Sequence, residues 1–308
     1  MNRYFKAFAL VSLITLAASC KKDDDGTVPL RDYTVQYATE KALIEEYLKT
    51  HYIASVDANY NVDLQAIPEG GTQTSIWDQT EYPLLSKDVQ SLDEDNVPLY
   101  KVYYLMLRQG NGDQPTRADR AVIAYRGTLL DGTQFDYNPF PSTALALSGT
   151  IEGWQEIVPL FKGGTYVDNP GSPDPATFEN YGAGVMFLPS GLAYYNATAS
   201  ALTPAYSPMV FTFKLFSIDF LDSDGDGLQN RYETDGVTDI AHYDTDGDGT
   251  ANYLDTDDDG DGYLTRNEIL IPGTGTGNNN PPQYYSFDLI PTCPDTGIKR
   301  HIDPSCHQ

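Results

Sequence analysis

The chain is 308 residues long, enough for about two domains of ordinary size, and with 40% hydrophobic residues and 23 tyrosines a buried core is expected. Its formal net charge is −25. That balance excludes a nucleic-acid binder, which needs a basic face, and leaves cations, proteins and peptides as partners.

Arg3 and Lys6 precede the apolar run "AFALVSLITLAAS", which ends at Cys20. A positive start and a short apolar core read as an export leader, too short for a stable membrane helix. The ending "LAASC" resembles a bacterial lipobox, with Ala17 where leucine is commonest. The resemblance implies cleavage before Cys20 and lipidation of that cysteine. The following "CKKDDD" resembles the surface-export signal of lipoproteins in one Gram-negative phylum, and a plain solvated tether is its alternative. The expected location is the membrane of a Gram-negative bacterium, the outer one first, on either the periplasmic or the surface face.

Residues 1–20 are thus a leader and 21–96 a linker with a leading helix region. Residues 21–34 are polar, and "YATEKALIEEYLKTHYI" then places Ala42, Ile44, Tyr47 and Leu48 near helical spacing. Its acidic residues come early and Lys49 and His51 late, as a helix dipole prefers. Residues 57–96 are rich in turn formers, with strand-like pieces such as "NVDLQAI", and suggest no role.

From residue 97 to about 220 the segments "LYKVYYLMLRQGNG", "AVIAYRGTLLDGTQFD", "STALALSGTIEGW", "GVMFLPSGLAYYN" and "SPMVFTFKLFSIDF" alternate valine, phenylalanine and tyrosine with polar residues. Period two between Gly, Pro and Asn boundaries predicts an antiparallel sheet. Trp154, Val158 and Phe161 stand at i, i+4 and i+7, so one short helix lies on that sheet, cut short or bent by Pro159. The insertion at 165–182, rich in Pro, Gly and Asp, reads as a surface loop or flap.

In that order "YRGTLLDGTQFD", "IEGW", "LAYYN" and "PMVFTFKLFSID" resemble the tyrosine-hairpin-Phe-Asp motif, helix start, Ala-Tyr-Gly loop and last strand of FKBP-type peptidyl-prolyl isomerases. The resemblance implies an α+β fold, an antiparallel β-sheet wrapped over a short helix, with a pocket between them. It implies pocket roles for Tyr125, Phe135, Asp136, Ile151, Trp154, Tyr194 and Phe211, and a pocket-edge position for Leu202. Trp154 would be the floor beneath a proline ring, Tyr125, Phe135 and Phe211 apolar walls, and Tyr194 a hydroxyl donor to a peptide carbonyl. Asp136 would fix polar neighbours at the rim. Core packing is the ordinary fate of single aromatic residues; seven matches in order weigh towards a site. The chain departs from the family at Tyr195, where glycine follows the Ala-Tyr, and in having no arginine after "FD".

Residues 221–270 carry "DSDGDGLQNRYE", "DTDGDGTANYLD" and "DTDDDGDGYLTRNE". Aspartates at positions 1, 3 and 5, glycine at 6 and an acidic residue at 12 are the spacing of a calcium loop. The candidate ligands are Asp222, Asp224, Asp226 and Glu233; Asp244, Asp246, Asp248 and Asp255; and Asp257, Asp259, Asp261 and Glu268. The flanks are too short for paired helices. The segment instead resembles thrombospondin type 3 repeats, which implies little regular structure and little apolar core. Residues 222–268 hold fifteen acidic and two basic residues, so without a cation they are expected to repel one another into disorder.

In the tail, 271–308, Cys293 and Cys306 are expected to form a disulfide in an exported chain; metal binding with His301 and His307 is the lesser alternative. The expectation is an isomerase acting on proline-containing exported proteins or peptides, anchored by lipid. It needs no catalytic cofactor, and calcium is structural. The alternative is a non-catalytic surface module that holds such peptides or serves as an adhesive spacer.

Overall fold

The computed structural model describes residues 30–92, 97–168, 177–276 and 279–307. The leader, Cys20 and most of the polar linker lie outside the described residues, as does the middle of the 165–182 insertion. No helix among the described residues is long and apolar enough to cross a membrane.

Helix α1 spans Tyr33–Thr50 and starts where the Asp32 side chain accepts the Val35 amide at 2.9 Å, an N-cap that satisfies one free donor of the first turn. It stops earlier than the sequence suggests, because His51 already begins strand β1, His51–Val56, which pairs with β2, Val62–Ala66. Its buried stripe is Gln36, Glu40, Ile44 and Leu48, four residues apart, while Ala42 faces out. Half of that stripe is polar, which is why an apolar-periodicity reading placed it imperfectly.

The main sheet is antiparallel and seven-stranded. Its strands are β3 (Leu84–Val89), β4 (Tyr100–Arg108), β5 (Arg120–Leu129), β6 (Gln134–Asn138), β7 (Leu145–Ala146), β10 (Gly182–Leu188) and β11 (Met209–Asp219). They run in the order β3-β4-β10-β11-β5-β6, with β7 paired to β5. The sheet therefore begins at Leu84, ahead of the boundary expected at residue 97. A separate hairpin, β8 (Thr165–Val167) with β9 (Thr177–Glu179), forms the described ends of the insertion.

Both faces of the sheet are covered. On one lies helix α2, Glu152–Ile157, continued by a single tighter turn that contains Pro159; Trp154, Ile157, Val158 and Phe161 pack there on Ile123, Met186, Leu188, Phe211 and Phe213. The other carries α1 and the β1-β2 hairpin, with Ile44, Leu48, Val62 and Ile76 against Tyr103, Leu105, Val185, Phe187 and Val210. Strand β10 is consequently buried along its whole length, Val185 and Phe187 on one face and Met186 and Leu188 on the other. Residues 57–92, which suggested no role as sequence, supply the β2 and β3 parts of this construction.

The aspartate segment consists of tight turns and short helical turns, including α3, Thr265–Glu268. It is not separate from the tail. Leu228, Ile269 and Ile290 form a small buried cluster with Tyr232, Tyr285 and Phe287, so repeats and tail share a core. Cys293 is bonded to Cys306.

Candidate functional site

The ring cluster is assembled from four elements. Tyr125 comes from β5, Phe135 from β6, Trp154 from α2 and Phe211 from β11. Trp154 stands edge-to-face to Tyr125 at 4.9 Å and to Phe211 at 5.3 Å, and Phe135 meets Phe211 the same way at 5.6 Å. Such T-shaped contacts put the positive edge of one ring on the negative face of the next. Gly127 makes the closure possible: it sits opposite Phe211 in the β5-β11 ladder, and a Cβ there would lie 2.7 Å from the Phe135 ring and 2.8 Å from the Phe211 ring.

Trp154 and Phe211 are buried, whereas Tyr125, Phe135, Ile151 and Tyr194 are half-buried, as walls beside a floor would be. Ile151 and Tyr194 pack against the same cluster and also line a groove of about 400 Å³ beside it. The Tyr125 hydroxyl donates to Asp136 Oδ2 at 2.9 Å, and Asp136 Oδ1 accepts the Tyr137 amide at 2.8 Å. Burial, and then the Asp136 carboxylate, push the Tyr125 phenol up to about 12, so it stays a neutral donor. Burial likewise raises the Tyr194 phenol.

Leu202 is not brought to the cluster; it stands 57% exposed on the loop between β10 and β11. That loop is instead committed to α1. Tyr195 has φ +47°, a left-handed conformation that favours glycine, and its ring stacks on Tyr33 with centroids 4.0 Å apart. The Tyr195 hydroxyl donates to the Arg31 carbonyl at 2.6 Å, and the Arg31 amide donates to the Tyr206 hydroxyl at 3.0 Å. Glu40, buried in α1, accepts the Ser190 amide at 2.7 Å and its hydroxyl at 2.5 Å. The departure from glycine thus turns a side chain towards the helix. Sequence reading missed this latch; Gln36 and Glu40, spaced to share a helix face with Ile44, were its signal.

The described ends of the insertion lie away from the cluster. Phe178 stacks on Phe216 near the Gly182 end of β10, whereas the Tyr194 loop leaves from its Leu188 end.

A second set of side chains occupies the repeats. Asp222, Asp224 and Asp226 bring carboxylate oxygens within 4.8 Å of one another, as do Asp244, Asp246 and Asp248, and Asp257, Asp259 and Asp261. The glycines at positions 4 and 6 of each loop all have positive φ, between +67° and +100°. Their freedom lets the chain turn sharply enough to aim successive carboxylates inward. The closing residues behave differently. Asp255 accepts the Asp257 amide at 3.0 Å, and among the described residues neither it nor Glu268 joins a carboxylate cluster, although both Glu268 oxygens are buried without a hydrogen-bond partner. Glu233 converges with Asp226 and with Asp258, a residue the spacing rule did not select. Burial first, then neighbouring carboxylates, push Glu233 up to about 11, Asp258 to about 9 and Glu268 to about 8 when no cation lies between them. The donor set is all oxygen and anionic, which fits a hard cation such as calcium.

His301, buried at 2% exposure, is not gathered into a cluster with the cysteines among the described residues, and the bonded sulfurs offer no thiolate. His307 lies on Tyr263 and against Asp261 at 3.1 Å.

Residues 217–300 match the family described as BamM C-terminal, a span that takes in the repeats and most of the tail together. A probable FKBP-type peptidyl-prolyl cis-trans isomerase FkpA of Neisseria meningitidis is 35% identical over 118 residues, 37% of either chain. The FKBP-type 22 kDa peptidyl-prolyl cis-trans isomerase of Escherichia coli is 29% identical over 117 residues, 37% of this chain and 48% of the relative. The crystal structure of FkpA from Escherichia coli matches at 27% identity with a TM-score of 0.30, over 38% of this chain and 48% of that one. The chain spans less than half the length of these relatives. Over about 37% of its length, it is homologous to FKBP-type peptidyl-prolyl isomerases.

Proposed function

We propose that the chain catalyses cis/trans exchange of X-Pro bonds in exported proteins, tethered to an outer membrane through lipidated Cys20 and braced at its C-terminal end by calcium. The observation that carries the reading is the ring cluster itself: Tyr125, Phe135 and Phe211 grouped with Trp154, with the Tyr125–Asp136 hydrogen bond at the rim. Homology over the same kind of domain supports it.

Prolyl rotation makes and breaks no covalent bond, so the absence of a nucleophile and base from this cluster is no obstacle. The barrier is amide resonance, about 18–20 kcal/mol. At half rotation the C–N bond has lost double-bond character and the amide is less polar. A water-excluding apolar site therefore favours the twisted form over the planar one. Trp154 supplies the surface on which the ring lies, and Tyr125, Phe135 and Phe211 its walls. Tyr194, kept protonated by burial, offers its hydroxyl to a peptide carbonyl. Asp136 holds the Tyr125 hydroxyl and so fixes the orientation of that wall. Calcium, when bound, would neutralise the inward carboxylates of the repeats, and the residues that would hold it are those of the three aspartate loops and Glu233 and Glu268.

The test is a proline-isomerisation assay of the chain with Cys20→Ser, which cannot be acylated there. Exchange of an X-Pro peptide should run faster than in buffer, and Asp136→Ala or Phe211→Ala should slow it while circular dichroism stays native. A wild-type rate equal to that of buffer would remove the enzymatic reading and leave the peptide-holding module.

A further inference from the structure

The three aspartate loops share an internal frame. Residue 9 of each accepts the backbone amide of residue 2: Ser223 donates to Asn230 Oδ1 at 2.9 Å, Thr245 to Asn252 Oδ1 at 2.8 Å, and Asp258 to Thr265 Oγ1 at 3.2 Å. In the first two loops the asparagine amide also returns a hydrogen bond to the hydroxyl of residue 2, at 2.8 and 2.9 Å. The third loop replaces that hydroxyl with the carboxylate of Asp258, which the frame does not use.

Where that carboxylate goes is informative. Asp258 is 2% exposed, and one of its oxygens lies within 4.8 Å of oxygens from Asp226 and Glu233, themselves 0% and 2% exposed. Both oxygens of Asp258, both of Glu233 and Oδ2 of Asp226 are buried with no hydrogen-bond partner. Buried carboxylates are ordinarily hydrogen-bonded or paired, since a dry, unpartnered charge is costly. Three of them aimed at one point repel unless protons or a cation lie between them, and a hard cation lets all three stay ionised. The second loop shows no such feature: Asp246 and Asp248 are exposed.

We propose that Asp258 is a ligand of the first loop's cation, so that one hard divalent ion is held jointly by Asp226 and Glu233 of loop one and by Asp258 of loop three. The inference rests on the calcium reading given above. The ion then fastens two loops that are not neighbours in sequence, and the first site is complete only when the third loop is folded.

Calcium titration of the whole chain by calorimetry tests this, comparing wild type with Asp258→Ser, which restores the hydroxyl found in loop one, and with Asp248→Ser in loop two. Asp258→Ser should weaken one site roughly tenfold or more, since affinity follows the number of charged ligands. It should also raise hydrogen exchange of the 228–233 amides in calcium, although the change is in another loop. Asp248→Ser should leave those amides protected. If Asp258→Ser fails to fold, Asp258→Asn, of the same shape, is measured in the same way. Unchanged affinities and unchanged 228–233 protection, with wild type binding calcium, would overturn the inter-loop ligand alone. No calcium uptake by wild type would overturn the calcium reading beneath it.

Discussion

Gly127 shows how narrowly the ring cluster is tuned at the scale of a single atom. A methyl group there would meet Phe135 and Phe211 well inside contact distance, and neither ring is the free end of a flexible side chain. Overpacking of this kind costs about 1–3 kcal/mol as side chains leave their rotamers. Gly127→Ala should therefore separate the two walls and lower the proposed isomerase activity more than it lowers the melting temperature; equal activity at equal stability would show that the wall spacing is not used. The ring identities were legible in the sequence because the motif fixes them in order. What Tyr195 does was not: its positive φ and its stack on Tyr33 depend on a helix more than 140 residues upstream. Leu202 lies on the same loop and is largely exposed.

Among the elements, α1 is the one whose contribution changes most between sequence and structure. Its buried carboxyl, Glu40, is raised above the ordinary 4.5 by burial, with the Ser190 and Gln36 hydrogen bonds opposing. A carboxyl raised in the fold contributes stability that is full below about pH 4.5 and declines as pH climbs through the raised value. The melting temperature of wild type minus that of Glu40→Gln should accordingly fall with pH across that window, and a difference independent of pH would contradict the assignment. Glu40→Ala is harsher, because it strands the buried Ser190 amide, at a cost of about 1–3 kcal/mol. The strands and α2 were readable from alternation and from the Trp154, Val158 and Phe161 spacing. Strand β3 and the α1 stripe were not, because β3 is short and carries three polar residues in a row, Ser86, Lys87 and Asp88, and the stripe is half polar.

On the scale of the whole molecule, the repeats are fastened to the isomerase-like part. The Asn230 amide donates to the Ala118 carbonyl at 3.0 Å, the Leu221 amide to Asp119 at 3.1 Å, and the buried Arg117 pairs with Glu156 of α2 and, at 3.5 Å, with Asp239. Calcium removal should therefore be felt beyond the repeats. In chelator, hydrogen exchange is expected to rise at 117–120 and 221–233 while the β10 amides remain protected; protection at 117–120 that ignores calcium would mean the two parts dock independently of the ion. The homology to FKBP-type isomerases gave no warning of this docking, since it covers about 37% of the chain.

The interleaved strand order also has a consequence for how the chain comes to fold. Strand β10 lies between β4 and β11, and α1 finds Ser190 only 150 residues further along. A ladder dominated by such distant pairings folds slowly, on the scale of milliseconds to seconds, because loop closure precedes its reward. Helix α1 is made first and must wait in water for a partner synthesised late. Gln36 and Glu40 make that wait tolerable: in the unpartnered helix they are hydrated, so the exposed stripe carries only Ile44 and Leu48 as apolar residues. The polarity that hid this helix's buried face from a periodicity reading is what keeps it from associating wrongly before its sheet exists.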